Sequence, residues 1–261
     1  MIFIKPLFFL VAITLIVSQS ALANIDEPQL ITKAVENKVN PIIPAFKATY
    51  TLLHNSDPIG TAIRQLTYVE NIEGSSAASQ SAVYHYETDI EWLIFSDQRT
   101  ETSNLSLENG KVTPHHYQYK RKGTGRDKSY EWRYNLPNKT AKDVKNDKLI
   151  NLAVAEGLQD KLSYHLQNRL DLLNNPKNKQ FSYSVITTSG AIKDYSYHYD
   201  GEEELILPYG LVKTIRLKRE IPEKKRVTYA WFAPELNYLL VKLYQVKAGA
   251  EQLEAQLSSI K

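Results

Sequence analysis

The side chains able to do chemistry in this chain are six histidines, several close carboxylates and two basic clusters, and there is no cysteine. His54, His85, His115, His116, His165 and His198 include no pair at a zinc-motif spacing. His115 and His116 are adjacent, so in a strand they face opposite ways. A metal site drawn from distant strands, such as His85 with His198 and Asp200, stays open, although isolated histidines among tyrosines usually serve as hydrogen-bonded structural groups. Without cysteine there is no thiol nucleophile, and no Gly-x-Ser-x-Gly elbow supplies a serine one. Asp89 with Glu91, and Glu202 through Glu204, have the spacing of solvated strand or loop faces. Gly123-Thr124-Gly125 is too short for a dinucleotide fingerprint and does not match a phosphate-binding loop. These readings assign no catalytic residue, no metal ligand and no cofactor, and they favour a non-enzymatic protein.

Recognition chemistry is better represented. Tyr117, Tyr119, Lys120, Arg121, Lys122, Arg126, Lys128, Tyr130 and Trp132 fall within one stretch, from Pro114 to Tyr134, that reads as two aromatic strands joined by a basic, glycine-containing tip. Alternation puts Tyr117 and Tyr119 on one face of the first strand, and Tyr130, Trp132 and Tyr134 on one face of the second. If the register aligns them, they form one aromatic plate. Arginine matches phosphate or carboxylate through its planar fork, and glycine lets backbone amides approach an anion. A second basic cluster comprises Lys213, Arg216, Lys218 and Arg219, continued by Lys224, Lys225 and Arg226. The competing explanations are core packing for the aromatics and a solubilising rim for the cations.

The elements that position these groups are mostly strands. Seventeen tyrosines against one methionine suit half-buried strand faces better than a helical bundle. Residues 1–23 read as a signal peptide, with Lys5, an apolar run from Leu7 to Val17 and Ala21-Leu22-Ala23 as the cleavage site. That run is too short to span a bilayer, so no integral membrane protein is expected. The absence of cysteine excludes a bacterial lipid anchor, and the expected location is the periplasm. Residues 24–45 read as a proline-bearing linker, and 46–261 as one β-rich domain. A net charge of +3 is too small to imply nucleic acid, and export argues against it as well.

Within the domain, strands are expected at Phe46–Leu53 and Ile59–Val69, then at Val83–Phe95 and Gln98–Leu107. Asn109-Gly110 makes the turn into the basic hairpin. Leu158, Leu162, Leu166, Leu170 and Leu173 recur at helical spacing, so one amphipathic helix spans Leu158–Leu173 and Asn174-Asn175-Pro176 ends it. Strands follow at Gln180–Thr188, Ala191–Tyr199, Glu204–Leu207, Leu211–Arg219, Val227–Phe232 and Leu239–Lys247, with Asp200-Gly201 as a turn. Gln252–Ile260 is either a last strand or a tail. Ten or more strands with one helix predict a mainly β fold, a strongly curved antiparallel sheet or partly open β-barrel with the helix packed against it.

The order of pieces resembles the DUF3108 family of exported bacterial proteins. The resemblance rests on Ile59-Gly60, on Pro114-x-x-Tyr117-x-Tyr119 with its basic tip, and on Gly157-Leu158-Gln159-Asp160. Tyr209-Gly210-x-x-Lys213-Thr214 and Trp231-Phe232-Ala233-Pro234-Glu235-Leu236-Asn237-Tyr238-Leu239 complete it. It implies a β-rich fold and brings no catalytic residues. The expected function is a periplasmic binding or carrier protein for an amphipathic, anionic envelope molecule such as a lipid, with apolar chains on the concave face and anion contact at the basic tip. The alternatives are an envelope scaffold with a protein partner or, third, a hydrolase or glycan-active enzyme.

Overall fold

A computed structural model describes residues 43–69 and 79–261. The expected signal peptide and nearly all of the expected linker lie outside the described residues. Fourteen strands form a single antiparallel sheet: β1 (Phe46–His54), β2 (Asp57–Tyr68), β3 (Ser79–Trp92), β4 (Phe95–Glu108), β5 (Lys111–Gly123), β6 (Lys128–Asn135), β7 (Thr140–Asp143) and β8 (Lys148–Asn151) precede one helix, α1 (Ser163–Asn174). After it come β9 (Gln180–Ile186), β10 (Ile192–Leu207), β11 (Gly210–Ile221), β12 (Arg226–Ala233), β13 (Leu239–Lys247) and β14 (Ala250–Ile260). The spatial order runs β8 to β1, then β14 down to β9, so every neighbour but one is a sequence neighbour. The exception is β1 beside β14.

Alternation explains the strands locally. Along β1, Phe46, Ala48, Tyr50 and Leu52 are buried while the residues between them are half-buried or exposed. Asn109 and Gly110 both have positive φ, at 51° and 74°, as the turn between β4 and β5 requires. The sheet is not closed by strand pairing, but its two ends are brought together. Gln159 donates from its backbone amide to Ser184 on β9 at 2.9 Å and from its side chain to the Val112 carbonyl on β5 at 2.8 Å. The β9–β10 turn reaches Trp132 on β6, where a Cβ added to Gly190 would lie 3.0 Å from the indole. The curled sheet expected from strand number is therefore present, and it wraps around the helix.

Three details differ from the sequence reading, and one alternative is decided. The helix begins at Ser163, not Leu158, because the Asp160 carboxylate accepts the amides of Leu162 and Ser163 at 2.8 and 2.6 Å and fixes the first turn there. Strands β7 and β8 were not expected; at four residues each they are too short for a periodic signal. Asp200-Gly201 is a bulge inside one continuous β10, marked by a register shift between Tyr199 and Glu202, and not a turn. Gln252–Ile260 belongs to a complete strand that pairs with β1.

The helix is also less one-sided than its leucines suggest. Leu166 and Leu170 join Leu158 and Leu162 in a large apolar cluster with Leu66, Leu105 and Tyr117. Tyr164 and Leu172 pack into a second cluster with Phe181, Tyr183 and Leu217. Arg169, also on α1, donates to the carbonyls of Asn237 and Leu236 at 2.7 and 3.1 Å, clasping the turn between β12 and β13. The concave side of the sheet is thus occupied by the chain's own helix.

Candidate functional site

The β5–β6 hairpin has the register that makes an aromatic plate. Tyr117 lies opposite Trp132 and Tyr119 opposite Tyr130. Tyr117 and Trp132 are 1% and 3% exposed, and the Tyr117 hydroxyl donates to Glu101 at 2.6 Å. They are core residues in this structure. Tyr119 and Tyr130 are half-buried, with ring centroids 5.6 Å apart.

The basic residues divide in the same way. Arg121 pairs with Asp97 at 2.8 Å and donates to the carbonyls of Arg126 and Thr124, both at 3.1 Å, so it braces the tip. Burial would raise the Asp97 pKa, but hydrogen bonds from Arg99 and Arg121 hold it below its ordinary value. Lys120, Lys122, Arg126 and Lys128 are exposed. In the second cluster Arg216 pairs with Asp200 and Glu203 at 2.8 and 2.9 Å, Lys213 with Glu204 at 3.7 Å, and Lys218 with Glu220. Those charges are largely neutralised in place.

Residues from widely separated segments meet inside the curled sheet. Arg64 (β2), Tyr86 (β3), Glu101 (β4), Lys161 (ahead of α1), His165 (α1) and Arg219 (β11) line a cavity of about 190 Å³. Arg64 occupies the inward row of β2, between buried Ala62 and Leu66, and is 8% exposed. Its guanidinium donates to the Tyr84 hydroxyl at 3.3 Å and lies 5.0 Å from the centre of the Tyr86 ring. No carboxylate among the described residues lies within ion-pair distance of it. Arg219 stacks on Tyr195, 3.5 Å from the ring centre, and the Lys161 ammonium lies 5.7 Å from that of Tyr119.

The field inside is positive. Burial, reinforced by Arg64, Arg219 and Lys161, drives the His165 pKa well below its ordinary value, so the imidazole is neutral at pH 7. Three cations then face one acid, Glu101, whose carboxylate already accepts the Tyr117 hydroxyl. Burial opposes the Arg64 charge, and the phenols of Tyr84, Tyr50 and Tyr86 outweigh it and hold the guanidinium pKa above its ordinary value, so Arg64 stays charged without a carboxylate beside it. Fork-shaped donors in a low-dielectric site are suited to phosphate or carboxylate. The cavity shares Arg219 and Gln245 with an open cleft of about 490 Å³ bordered by Lys193, Lys224 and Arg226. On its other side it shares Arg64, Tyr86 and Leu243 with an apolar hollow of about 30 Å³ lined by Leu240, Leu253 and Ala255.

The sequence reading named Arg219 but missed Arg64, Lys161, Glu101 and His165 as a group. An arginine on the apolar parity of β2 is the signal for Arg64, and Ile63 on the opposite parity obscures it. Among the described residues no cluster of three or more His, Asp or Glu side chains has metal-binding geometry. His115 instead contacts Ser106 at 2.9 Å and His116 contacts Glu131 at 2.9 Å.

A family model described as a protein of unknown function, DUF3108, matches residues 46–256. No curated protein matches the chain. Among solved structures, a β-barrel-like protein of the domain of unknown function DUF1849 from Brucella abortus is similar, with TM-score 0.55 and 9% identity, covering 85% of this chain and 98% of its own. That likeness supports the fold. Two further crystal structures align more loosely. One is a proposed lipoprotein from Parabacteroides distasonis, with TM-score 0.38, 13% identity and coverage of 85% and 97%. The other is a proposed exported protein with a YmcC-like fold from Bacteroides fragilis, with TM-score 0.35, 12% identity and coverage of 83% and 95%.

Proposed function

The chain belongs to the DUF3108 family of unknown function, and on that premise we propose that it is a non-enzymatic, exported binding protein for a small amphipathic anion of the cell envelope. The observation that carries this reading is Arg64, a buried cation with no acidic partner among the described residues, at the wall of a cavity it shares with Arg219 and Lys161. An anion there would give Arg64 the charged partner that its own neighbours do not supply. The neighbouring apolar hollow, at about 30 Å³, has room for the first carbons of a hydrocarbon arm beside the charged head. Export rests on the leader-like residues 1–23 and makes the envelope the place where such a ligand is met.

The cavity also narrows the expected ligand. At about 190 Å³ it is smaller than the roughly 300–1,000 Å³ that encloses a drug-sized molecule. Long acyl chains have no room on the concave face, which α1 and the two apolar clusters fill. A phosphate or carboxylate head with a short apolar arm is therefore favoured over a whole lipid.

The test is thermal denaturation of the wild type and of Arg219→Gln with hexyl phosphate, inorganic phosphate or hexanol. Hexyl phosphate raises the wild-type Tm in proportion to ln(1 + [L]/Kd), inorganic phosphate does so more weakly, and hexanol does not. The rise is lost in Arg219→Gln. Equal shifts in both proteins, or no shift with either anion, overturn the proposal.

A further inference from the structure

A second feature, independent of the cavity, lies at the β3–β4 turn. Trp92, Leu93, Ile94 and Phe95 are consecutive and 41%, 85%, 87% and 53% exposed. Two-residue hairpin turns favour Asn-Gly or Asp-Gly, because their central residues take positive φ. Here Leu93 has a φ of 56°, a conformation disfavoured for a side chain of its kind. Neither turn chemistry nor burial accounts for a leucine and an isoleucine at this tip, so the apolar surface points outward for a reason other than folding.

What lies beside it supplies the reason. The basic β5–β6 tip is bound to this turn: the Thr124 amide donates to Ser96 at 2.8 Å, the Ser96 amide donates to the Thr124 hydroxyl at 3.0 Å, and that hydroxyl donates to the Ile94 carbonyl at 3.4 Å. Gly123 permits the approach, since a Cβ there would run into the Ser96 carbonyl. Lys120, Lys122, Arg126 and Lys128 are exposed around it with no ion-pair partner among the described residues, and Asp127 is the one acid interleaved with them. Arg121 holds the tip's shape from within. Trp92 sits between the apolar point and the polar body, with the His54 ring against it at 5.2 Å.

An apolar point with an aromatic shoulder and a basic collar is complementary to an anionic bilayer surface. Trp is favoured at headgroup depth, and cations near the surface attract acidic lipid. Stable anchoring generally takes two such signals together, where one alone binds only marginally. We propose that this end of the sheet docks on anionic membranes, with Leu93 and Ile94 entering the acyl boundary, Trp92 and Phe95 at headgroup depth, and Lys120, Lys122, Arg126 and Lys128 on lipid phosphates. In a meander, alternate turns fall at the same end of the sheet. The β11–β12 turn, which borders the open cleft outside the Arg64 cavity, therefore lies at the docking end. A ligand drawn from the headgroup layer would enter there.

The experiment is cosedimentation of the full chain with vesicles of phosphatidylglycerol and phosphatidylcholine, or of phosphatidylcholine alone. Emission of Trp92 is read in parallel, since Trp132 and Trp231 are buried. The wild type binds the anionic vesicles and shifts its emission to the blue, and added salt weakens binding. Leu93→Ser with Ile94→Ser lowers affinity roughly tenfold or more. Lys120→Gln with Lys122→Gln lowers it by about fivefold per charge. All four residues are exposed, so both variants retain the fold, checked by unchanged Tm. Equal binding to both vesicles, or undiminished binding by the Leu93→Ser/Ile94→Ser variant, overturns the proposal. So does a self-associating species in sedimentation velocity that disappears in that variant while no vesicles are bound; the tip then joins two copies of the chain.

Discussion

Replacing Asp160 by asparagine isolates one buried charge. The carboxylate accepts the amides of Leu162 and Ser163 on one oxygen and the Ser103 hydroxyl at 2.5 Å on the other. Burial nevertheless outweighs these hydrogen bonds and pushes its pKa from 3.8 up to about 6. The folded protein then keeps a proton that the unfolded chain releases, so stability falls as pH rises from about 4 to about 6. At about 1.4 kcal/mol per unit, the penalty at neutral pH is about 3 kcal/mol. Asparagine retains the oxygen that starts the helix but cannot ionise, and the Ser103 hydroxyl can turn to accept from the new amide. Urea denaturation at pH 4, 5, 6 and 7.5 measures the effect. The stability of wild type relative to Asp160→Asn drops by about 2 kcal/mol between pH 4 and 7.5, since part of the penalty is already present at pH 4, and almost all of the drop falls below pH 7. A difference that stays constant from pH 4 to 7.5 would falsify the claim that desolvation dominates this site.

Two further substitutions test the interior and the tip. Arg64→Met removes the buried cation together with its contacts to Tyr84 and Tyr86 and should abolish the thermal response to hexyl phosphate; a response of undiminished size in the variant would show that Arg64 does not hold the anion. Gly123→Ala forces a Cβ against the Ser96 carbonyl and should cost about 1–3 kcal/mol. It also speeds hydrogen exchange at the Thr124 amide and weakens vesicle binding, and an unchanged exchange rate would show that the two tips are not coupled.

Strand content and the basic hairpin were legible because Tyr117, Tyr119, Tyr130 and Trp132 keep a strict two-residue period over long strands; the register of that hairpin was left open, since alternation fixes faces and not pairing. The Asn109-Gly110 turn and the existence of the helix were legible too. The helix start was not, since Leu158 and Leu162 continue the leucine spacing through a segment that Gln159 pins to β9 and Asp160 ends. Nor was the bulge at Asp200-Gly201, a pair whose turn propensity was overridden by pairing on both sides of it. The interior cavity joins residues from β2, β3, β4, α1 and β11, and no local period links Arg64 to Arg219. The exposed tip failed in the opposite way. Trp92 to Phe95 read as the end of an apolar strand, because a sequence pattern does not reveal that a hydrophobic run is turned outward.

The one seam between strands distant in sequence has a kinetic consequence. Thr49 and Ser258, 209 positions apart, are hydrogen-bonded at 2.9 Å across β1 and β14. Hairpins from β1 to β8 can form as soon as they are made, yet β1 keeps an unpaired edge until the last strand arrives. Closing so long a loop delays the final step. A chain passed through a membrane from its amino end would therefore reach the far side before it could complete its sheet, and threading would precede closure without a dedicated holding factor. The same delay leaves β1 as the edge most open to wrong pairing while the chain is still emerging.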